Sequence, residues 1–477
     1  MSRIRRIAEE EFILVVLLAG FGFIFLWLFP PLLLVNDSWL NLMAGREIWE
    51  NGLPRTEELT VYGLGSTWTA QQWLSHLFFY GLHALGGHAL LVVVTCLVVV
   101  SAFAIGSAGA RSLGAGPRAI SVMFIPMILT APWAWTIRAQ MLALPFYTAI
   151  LWLLASQARH PTRRIWLAFP LLALWANVHG SAALGALLLS LLGVYEIARS
   201  RGRSWRRSLV LVVGAPIALL LTPYGPAATA RYYHLLLIDP PFAGKIREWM
   251  WPSPSTTTAV FWGLIVISAA LVVWGRRRLT LFDLVILVIT LGGALTAVRG
   301  IAWFGLACML ILPVAIGRTL ESRNSAPLRR GINRTISAGF VAALLLLGAY
   351  SLVRDPAWFE DSWPREPVET VRRELEPGDR VFAPDRFADW LLWKIPELRG
   401  RIAYDVRFEL YDEEFFDRLL RYLAEDGDDW KTFADGYRIV LVDETRRSHT
   451  ADFLVEPDAR ALYRDEEITV ITRWPAS

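Results

Sequence analysis

Long apolar runs, broken by short arginine-bearing segments, fill the first three-quarters of the chain. Taking each run between charged residues as one element predicts eleven membrane spans: 11–35, 88–110, 119–135, 141–157, 165–179, 181–198, 208–222, 257–275, 281–298, 301–317 and 335–353. A run of about 20 apolar residues, rising 1.5 Å per residue, crosses a hydrocarbon core. Leu74–Leu85 is apolar but only 12 residues long before Gly86-Gly87, and is expected to be interfacial or re-entrant. From about residue 354 the pattern changes. Val381–Ala383, Arg401–Tyr404, Ile439–Val442 and Ile468–Ile471 read as short buried strands, with helices over 387–394 and 412–424. The fold class is therefore an α-helical polytopic membrane protein of about eleven transmembrane helices (1–353) with a small C-terminal α/β domain (354–477).

Composition agrees: of 477 residues 55% are hydrophobic and 19% charged, against about 25% charged in soluble domains. An ordinary cytoplasmic enzyme is thereby disfavoured. Residues 1–353 hold 28 Lys/Arg and 13 Asp/Glu, whereas 354–477 hold 19 and 30, so two regions meet different solvents. One alternate set of loops (1–10, 111–118, 158–164, 199–207, 276–280, 318–334) carries 21 Lys/Arg, and the other (36–72, 136–140, 223–256, 299–300) carries 7. The positive-inside bias then predicts a plasma (inner) membrane protein with a cytoplasmic amino terminus and an extracytoplasmic tail. These basic loops call for no nucleic-acid partner. Arg3, Arg5 and Arg6 look like the front of a signal peptide, but the next apolar run is too long for a cleaved one and is expected to be retained. Cys96 and Cys308 lie in apolar runs and read as packing residues.

With that topology, the polar residues near membrane depth fall on the outer side: Asp37, Arg138, Gln140, Asn177, His179, Tyr224, Glu248, Trp249 and Arg299. A charge in hydrocarbon costs roughly 2.5–3.5 kcal/mol even on the lenient insertion scale, so such residues usually face a bundle interior or an aqueous cavity. A shared polar cavity at the outer leaflet is the economical reading. Each residue has a second one. Asp37 also suits a cap of a helix over 39–50, Arg138 and Arg299 suit snorkelling to headgroups, and His179 suits a turn before Gly180-Ser181. Trp39, Trp49, Trp68 and Trp73 suit an aromatic belt as well as a sugar platform, and the tail's Trp358, Trp363, Trp390 and Trp393 suit its own core as well as the bilayer surface. No phosphate-cradling glycine loop, His-Glu-x-x-His or paired Cys-x-x-Cys occurs. An outer site has no nucleotide sugars, so any activated group arrives on a lipid.

Asn36-Asp37-Ser38-Trp39-Leu40-Asn41-Leu42-Met43-Ala44-Gly45-Arg46-Glu47-Ile48, then Gly52-Leu53-Pro54-Arg55-Thr56 and Gln72-Trp73-Leu74, resembles the first outer loop of bacterial GT-C glycosyltransferases. Ile137-Arg138-Ala139-Gln140, Trp175-Ala176-Asn177-Val178-His179-Gly180, Thr222-Pro223-Tyr224-Gly225, Glu248-Trp249 and Arg299 extend the match. In the tail, Asp405-Val406-Arg407-Phe408-Glu409-Leu410-Tyr411 resembles the outer domain of one branch of that class. The resemblance implies a GT-C-like fold, a polyprenyl-phosphate sugar as donor, and a lipid, glycan or protein acceptor at the membrane surface. It implies that the first-loop acid, here Asp37, lies at the catalytic centre, with Glu47 and Glu248 as the other outer-face acids. Many members have two adjacent acids in that loop. Here Asn36 and Ser38 flank Asp37, and one carboxylate makes a poor divalent-cation cage; no metal is expected to be obligatory.

By chemical type, Asp37 suits the base that takes the acceptor proton, and Arg138 and Arg299 the cations that hold the leaving phosphate. His179, Asn177 and Glu248 suit sugar hydroxyls, Trp73 or Trp249 a pyranose face, and Tyr224 and Arg46 complete the candidate substrate-binding set. One in-line attack makes inversion the expected outcome. The tail reads as a lid or acceptor-docking surface, with Asp405, Arg407 and Glu409 alternating along a strand end or forming a solvated salt-bridge ladder. A transporter or flippase of lipid-linked saccharide and a non-catalytic envelope assembly protein are the rival readings.

Overall fold

The computed structural model describes residues 11–203, 205–238, 240–320, 327–446 and 449–473. The basic segment 1–10 and part of the basic loop 318–334 lie outside the described residues.

Each of the eleven apolar runs contains a helix. Five helices among the described residues are long and apolar enough to cross a membrane, namely Trp73–Ser112, Ala139–Arg159, Ala182–Arg199, Val298–Ile316 and Arg330–Leu352. Phe12–Leu28, Pro117–Thr130, Ala259–Gly275 and Leu281–Thr296 are shorter apolar helices, and Ala168–Val178 and Trp205–Leu219 complete the set. A multi-pass membrane bundle results. Ile301–Ile316 has every residue buried, as a helix apolar all round must be when it forms a bundle's centre. Pro327–Leu352 lies at the edge and leaves Leu345 and Leu346 exposed.

At the end that carries the basic loops, Arg159 donates two hydrogen bonds to the buried Asp283 (2.9 and 2.7 Å). Asp283 also caps its own helix through Thr280.

The segment Leu74–Leu85 is helical and joins the span beyond it in one 40-residue element, broken at Gly86 and Gly87. Gly87 has φ of +60°, a conformation open to glycine and costly to other residues. The arm before the break packs on the helix Asn36–Asn51, where a Cβ on Gly45 would meet the His76 carbonyl oxygen at 2.2 Å.

The tail holds a four-stranded sheet in the order β1-β2-β4-β3: β1 Val381–Phe382, β2 Ile439–Asp443, β3 Arg460–Arg464 and β4 Ile468–Thr472. β1 and β2 are parallel and the other pairs antiparallel. β2 and β4 are buried at all five positions, as continuous apolar runs covered on both faces should be. Two expectations are corrected. Arg401–Tyr404 is not a strand but a segment whose Ile402 bridges singly to Thr60 and Val381. Arg460–Arg464, unread in the sequence, is the half-exposed edge strand. The helices over 387–394 and 412–424 are present as Asp385–Lys394 and Glu413–Ala424. Trp363 and Trp390 are buried, and the Trp363 indole donates to the Leu34 carbonyl.

Candidate active site

Asp37 begins its placement in the backbone around it. The helix Asn36–Asn51 starts at Val35, whose N–H donates to Ser38 Oγ (2.9 Å). That hydroxyl donates onward to the Ile137 carbonyl (2.8 Å), while the Ile137 N–H donates to Leu33 O (3.0 Å). The first turn is thus tied to the residue before Arg138. Asp37 is not the N-cap: it lies inside the first turn, and its carboxylate goes elsewhere. Arg138, extended at the start of Ala139–Arg159, brings Nη2 to 3.1 Å from Asp37 Oδ2. The same guanidinium donates to both Glu248 oxygens (2.5 and 2.9 Å). Glu248 rides on the one-turn 3-10 helix Arg247–Trp249.

Arg299 occupies a second such turn, Val298–Gly300, between two spans. The turns are joined by the Val298 N–H donating to Met250 O (3.0 Å). The Arg299 guanidinium lies 4.3 Å from the Trp249 ring centre, a cation–π distance, and Nη2 stands 3.5 Å from His179 Nε2. His179 Nδ1 accepts the Ser181 N–H (3.1 Å) and lies 2.7 Å from the Ser181 hydroxyl. A guanidinium and an imidazole thus stand side by side at the cavity wall.

These groups line one cavity of about 450 Å3, open between the bundle and the tail. Gln140 lines it and donates to the Arg299 carbonyl (3.4 Å). Burial raises the Asp37 carboxyl and the Arg138 guanidinium opposes it, with the net shift upward. Glu248 moves the other way: burial pushes it up, but the charge and hydrogen bonds of Arg138 hold it below the usual carboxylate range.

Five candidates lie elsewhere. Trp73 donates its indole N–H to Asn177 Oδ1 (2.8 Å), and the Asn177 amide donates to the Ala173 and Leu221 carbonyls; the pair staples the arm Trp73–Leu85 to the helix Ala168–Val178. Tyr224 is buried in the core. Arg46 donates to the Leu392 and Trp393 carbonyls and covers the Trp393 ring at 4.6 Å, clamping the tail. Glu47 pairs with Arg399 (2.8 Å) at the surface.

The tail contributes to the wall. Arg407 is 2% exposed and donates to Glu57 and Asp405, both at 0%, and lies 4.2 Å from the Trp68 ring centre. The expected strand alternation is replaced by a buried network, followed by the 3-10 turn Phe408–Leu410. Arg407, Phe408 and Glu409 face the cavity, with Gln72, Tyr232, Arg247 and Asp385. The sequence motifs included the tail segment and Gln72; nothing in the local pattern marked Tyr232.

Away from the cavity, Glu425, His449 and Asp452 bring ligand atoms within 4.8 Å of one another. There the His449 ring bonds Glu425 (3.0 Å) and packs against Tyr422 and Trp430.

No protein-family model matches the sequence, and no curated protein is significantly similar to it. Solved structures are similar in fold. The Archaeoglobus fulgidus oligosaccharyltransferase in its apo form aligns at TM-score 0.54 and 12% identity, over 91% of this chain and 69% of that one. ArnT from Cupriavidus metallidurans bound to undecaprenyl phosphate aligns at 0.55 and 13% over 96% and 97%, and its apo state at 0.53 and 12% over 92% and 93%. At these identities the likeness is one of architecture, and the chain has the GT-C fold of those membrane proteins.

Proposed function

We propose that the protein is a membrane glycosyltransferase that moves a sugar from a polyprenyl-phosphate donor to an acceptor at the extracytoplasmic surface, with inversion at C1. The observation that carries this reading is the convergence of Asp37, Glu248, Arg138, Arg299 and His179, from five separate segments, on one cavity. Undecaprenyl phosphate bound to ArnT, a protein of the same fold, supports a lipid phosphate as the anion between Arg299 and His179.

In this reading Arg299 and the His179 Nε2–H hold the phosphate oxygens through the transition state, where their donors stabilise charge as it develops. Arg138 keeps Glu248 ionised and holds the Asp37 carboxylate at the cavity wall. Asp37 takes the proton of the acceptor hydroxyl as its oxygen attacks C1 and the C1–O bond to the phosphate breaks. Trp249, fixed under Arg299, offers an aromatic face to the sugar. We expect no obligatory divalent cation: the Arg138 guanidinium already stands between Asp37 and Glu248, in the position a bridging cation would need.

The test is transfer by the purified full chain from a panel of radiolabelled polyprenyl-phosphate sugars, comparing wild type with Asp37→Asn. Loss of the base should lower the rate by about 10²–10⁴-fold with an unchanged melting temperature. Equal rates for the two proteins would remove Asp37 from the chemistry, and failure of wild type across the panel would remove the transferase reading.

A further inference from the structure

Asp37 and Glu248 both face Arg138, but a third carboxylate in the cavity is differently placed. Glu409 lines the main cavity and also the smaller recess behind it, beside Trp68, Gln71 and His76. Among the described residues its carboxylate has no ion pair and no side-chain donor; the hydrogen bond it receives comes from its own backbone N–H. A carboxylate so sparsely paired at a half-buried position is costly, yet the backbone on each side of it is fixed. Arg407 is held by Glu57 and Asp405. Tyr411 accepts the Asp405 N–H (3.0 Å) and stacks on Phe415 at 4.2 Å. The one-turn helix between them is held at both ends, so the acceptor capacity that its own N–H leaves unused is built in.

Resting on the transferase reading, we propose that Glu409 is the acceptor-binding carboxylate of the site, a tail residue that accepts hydrogen bonds from the hydroxyls of a sugar or similar polyol. A carboxylate only accepts hydrogen bonds when ionised, so it complements hydroxyl donors and repels phosphate. That assigns it to the acceptor, since the donor's phosphate belongs to Arg299 and His179. The tail is also the wall that borders the aqueous side, from which an acceptor enters. Burial lifts the Glu409 carboxyl to about 6, against the hydrogen bond from its own backbone N–H and the charges of Arg407 and Arg299, with Asp405 adding to the rise. Tyr232 faces it from the helix Gly225–Leu237, and Arg247 and Asp385 border the same space. Hydroxyl binding by the ionised form therefore weakens as pH falls below about 6.

The experiment uses the full chain in detergent with Glu409→Gln and Glu409→Asp. Undecaprenyl phosphate binding is read by tryptophan fluorescence. Transfer to methyl glycosides of hexoses, hexosamines and pentoses is read as separate donor and acceptor KM values across pH. Removing a charged acceptor of hydrogen bonds should raise the acceptor KM about tenfold or more. Donor KM and lipid-phosphate affinity should stay within about twofold, the rise of the acceptor KM below about pH 6 should vanish in Glu409→Gln, and Glu409→Asp should recover part of the acceptor affinity. An unchanged acceptor KM, or a donor KM that rises instead or in parallel, overturns the assignment. Wild type that neither binds undecaprenyl phosphate nor transfers overturns the transferase reading itself, a separate outcome.

Discussion

Asp37 and Glu248 share one guanidinium unequally. Glu248 receives both short hydrogen bonds, and Asp37 receives one contact at 3.1 Å. The pair therefore separates: Glu248 stays ionised well into acid while burial keeps Asp37 the more basic of the two. As the proposed base, Asp37 must be deprotonated to act, so kcat/KM should fall as pH drops through its raised value, and that acid limb should lie above the ordinary carboxylate range. Replacing Arg138 by Gln would leave two half-exposed carboxylates facing each other across the cavity. Breaking a fully buried pair costs about 3–5 kcal/mol; with these side chains 31% and 37% exposed, solvent screening should bring the loss down to about 1 kcal/mol, which a thermal or denaturant melt would register, whereas Glu248→Gln together with Arg138→Gln should restore much of it. This cluster was legible in the sequence because charged residues at membrane depth need a reason to be there. Asn177, Trp73 and Arg46 were not distinguishable from it by type, because amide, indole and guanidinium groups satisfied by other oxygens of the protein look the same in a sequence as those left open to a substrate; Tyr224 is simply buried.

Helices carry the residues to these positions, and their existence was written in the apolar runs. Their junctions were less so. The break at Gly86 and Gly87 was visible as a glycine pair, but the packing of the arm before it on Asn36–Asn51 depends on a tertiary approach that periodicity does not encode. The strand Arg460–Arg464 was missed for a related reason: at an edge, with half its residues exposed, it lacks the apolar run that marks β2 and β4. The closest approach lies at Gly45, where a Cβ would stand 2.2 Å from the His76 oxygen and 2.6 Å from Tyr80 Cβ. Backbone cannot yield as a side-chain tip can, so Gly45→Ala should push the two helices apart at a cost of about 1–3 kcal/mol. The displacement would draw Asp37 from Arg138, and misplacement by about 1 Å can cost about 10²-fold in rate. Gly81→Ala, on the same arm with nothing within 4 Å, is the control and should leave both the melt and transfer rate unchanged.

At the scale of the molecule, the cavity exists because the tail closes on the segment 36–72 that follows the first apolar helix. The sequence announces two regions through their opposite charge, yet the contacts that join them link residues some 350 positions apart: Arg407 to Glu57, and Tyr411 to Thr60. No local pattern points across such a span, and nothing in the sequence sets Glu57 apart from other acids. In the structure it is fully buried, accepts the N–H groups of Leu59 and Thr60 (2.8 Å each) and receives two bonds from Arg407. Glu57, Asp405 and Arg407 form a charge unit that is tolerable only when complete. Arg407→Met removes the sole cation and strands two carboxylates, and should cost about 3–5 kcal/mol. The loss should be local, with amide hydrogen exchange rising across residues 55–68 and 400–411 while the central helix Ile301–Ile316 keeps its protection. Transfer should fall with it, because the wall bearing Glu409 opens, although Arg299 and His179 remain in place to bind undecaprenyl phosphate. Replacing Glu57, Asp405 and Arg407 together by apolar residues of similar volume should restore the melt. Exchange that rises throughout the bundle, or not at all, would show that the interlock holds something other than the tail.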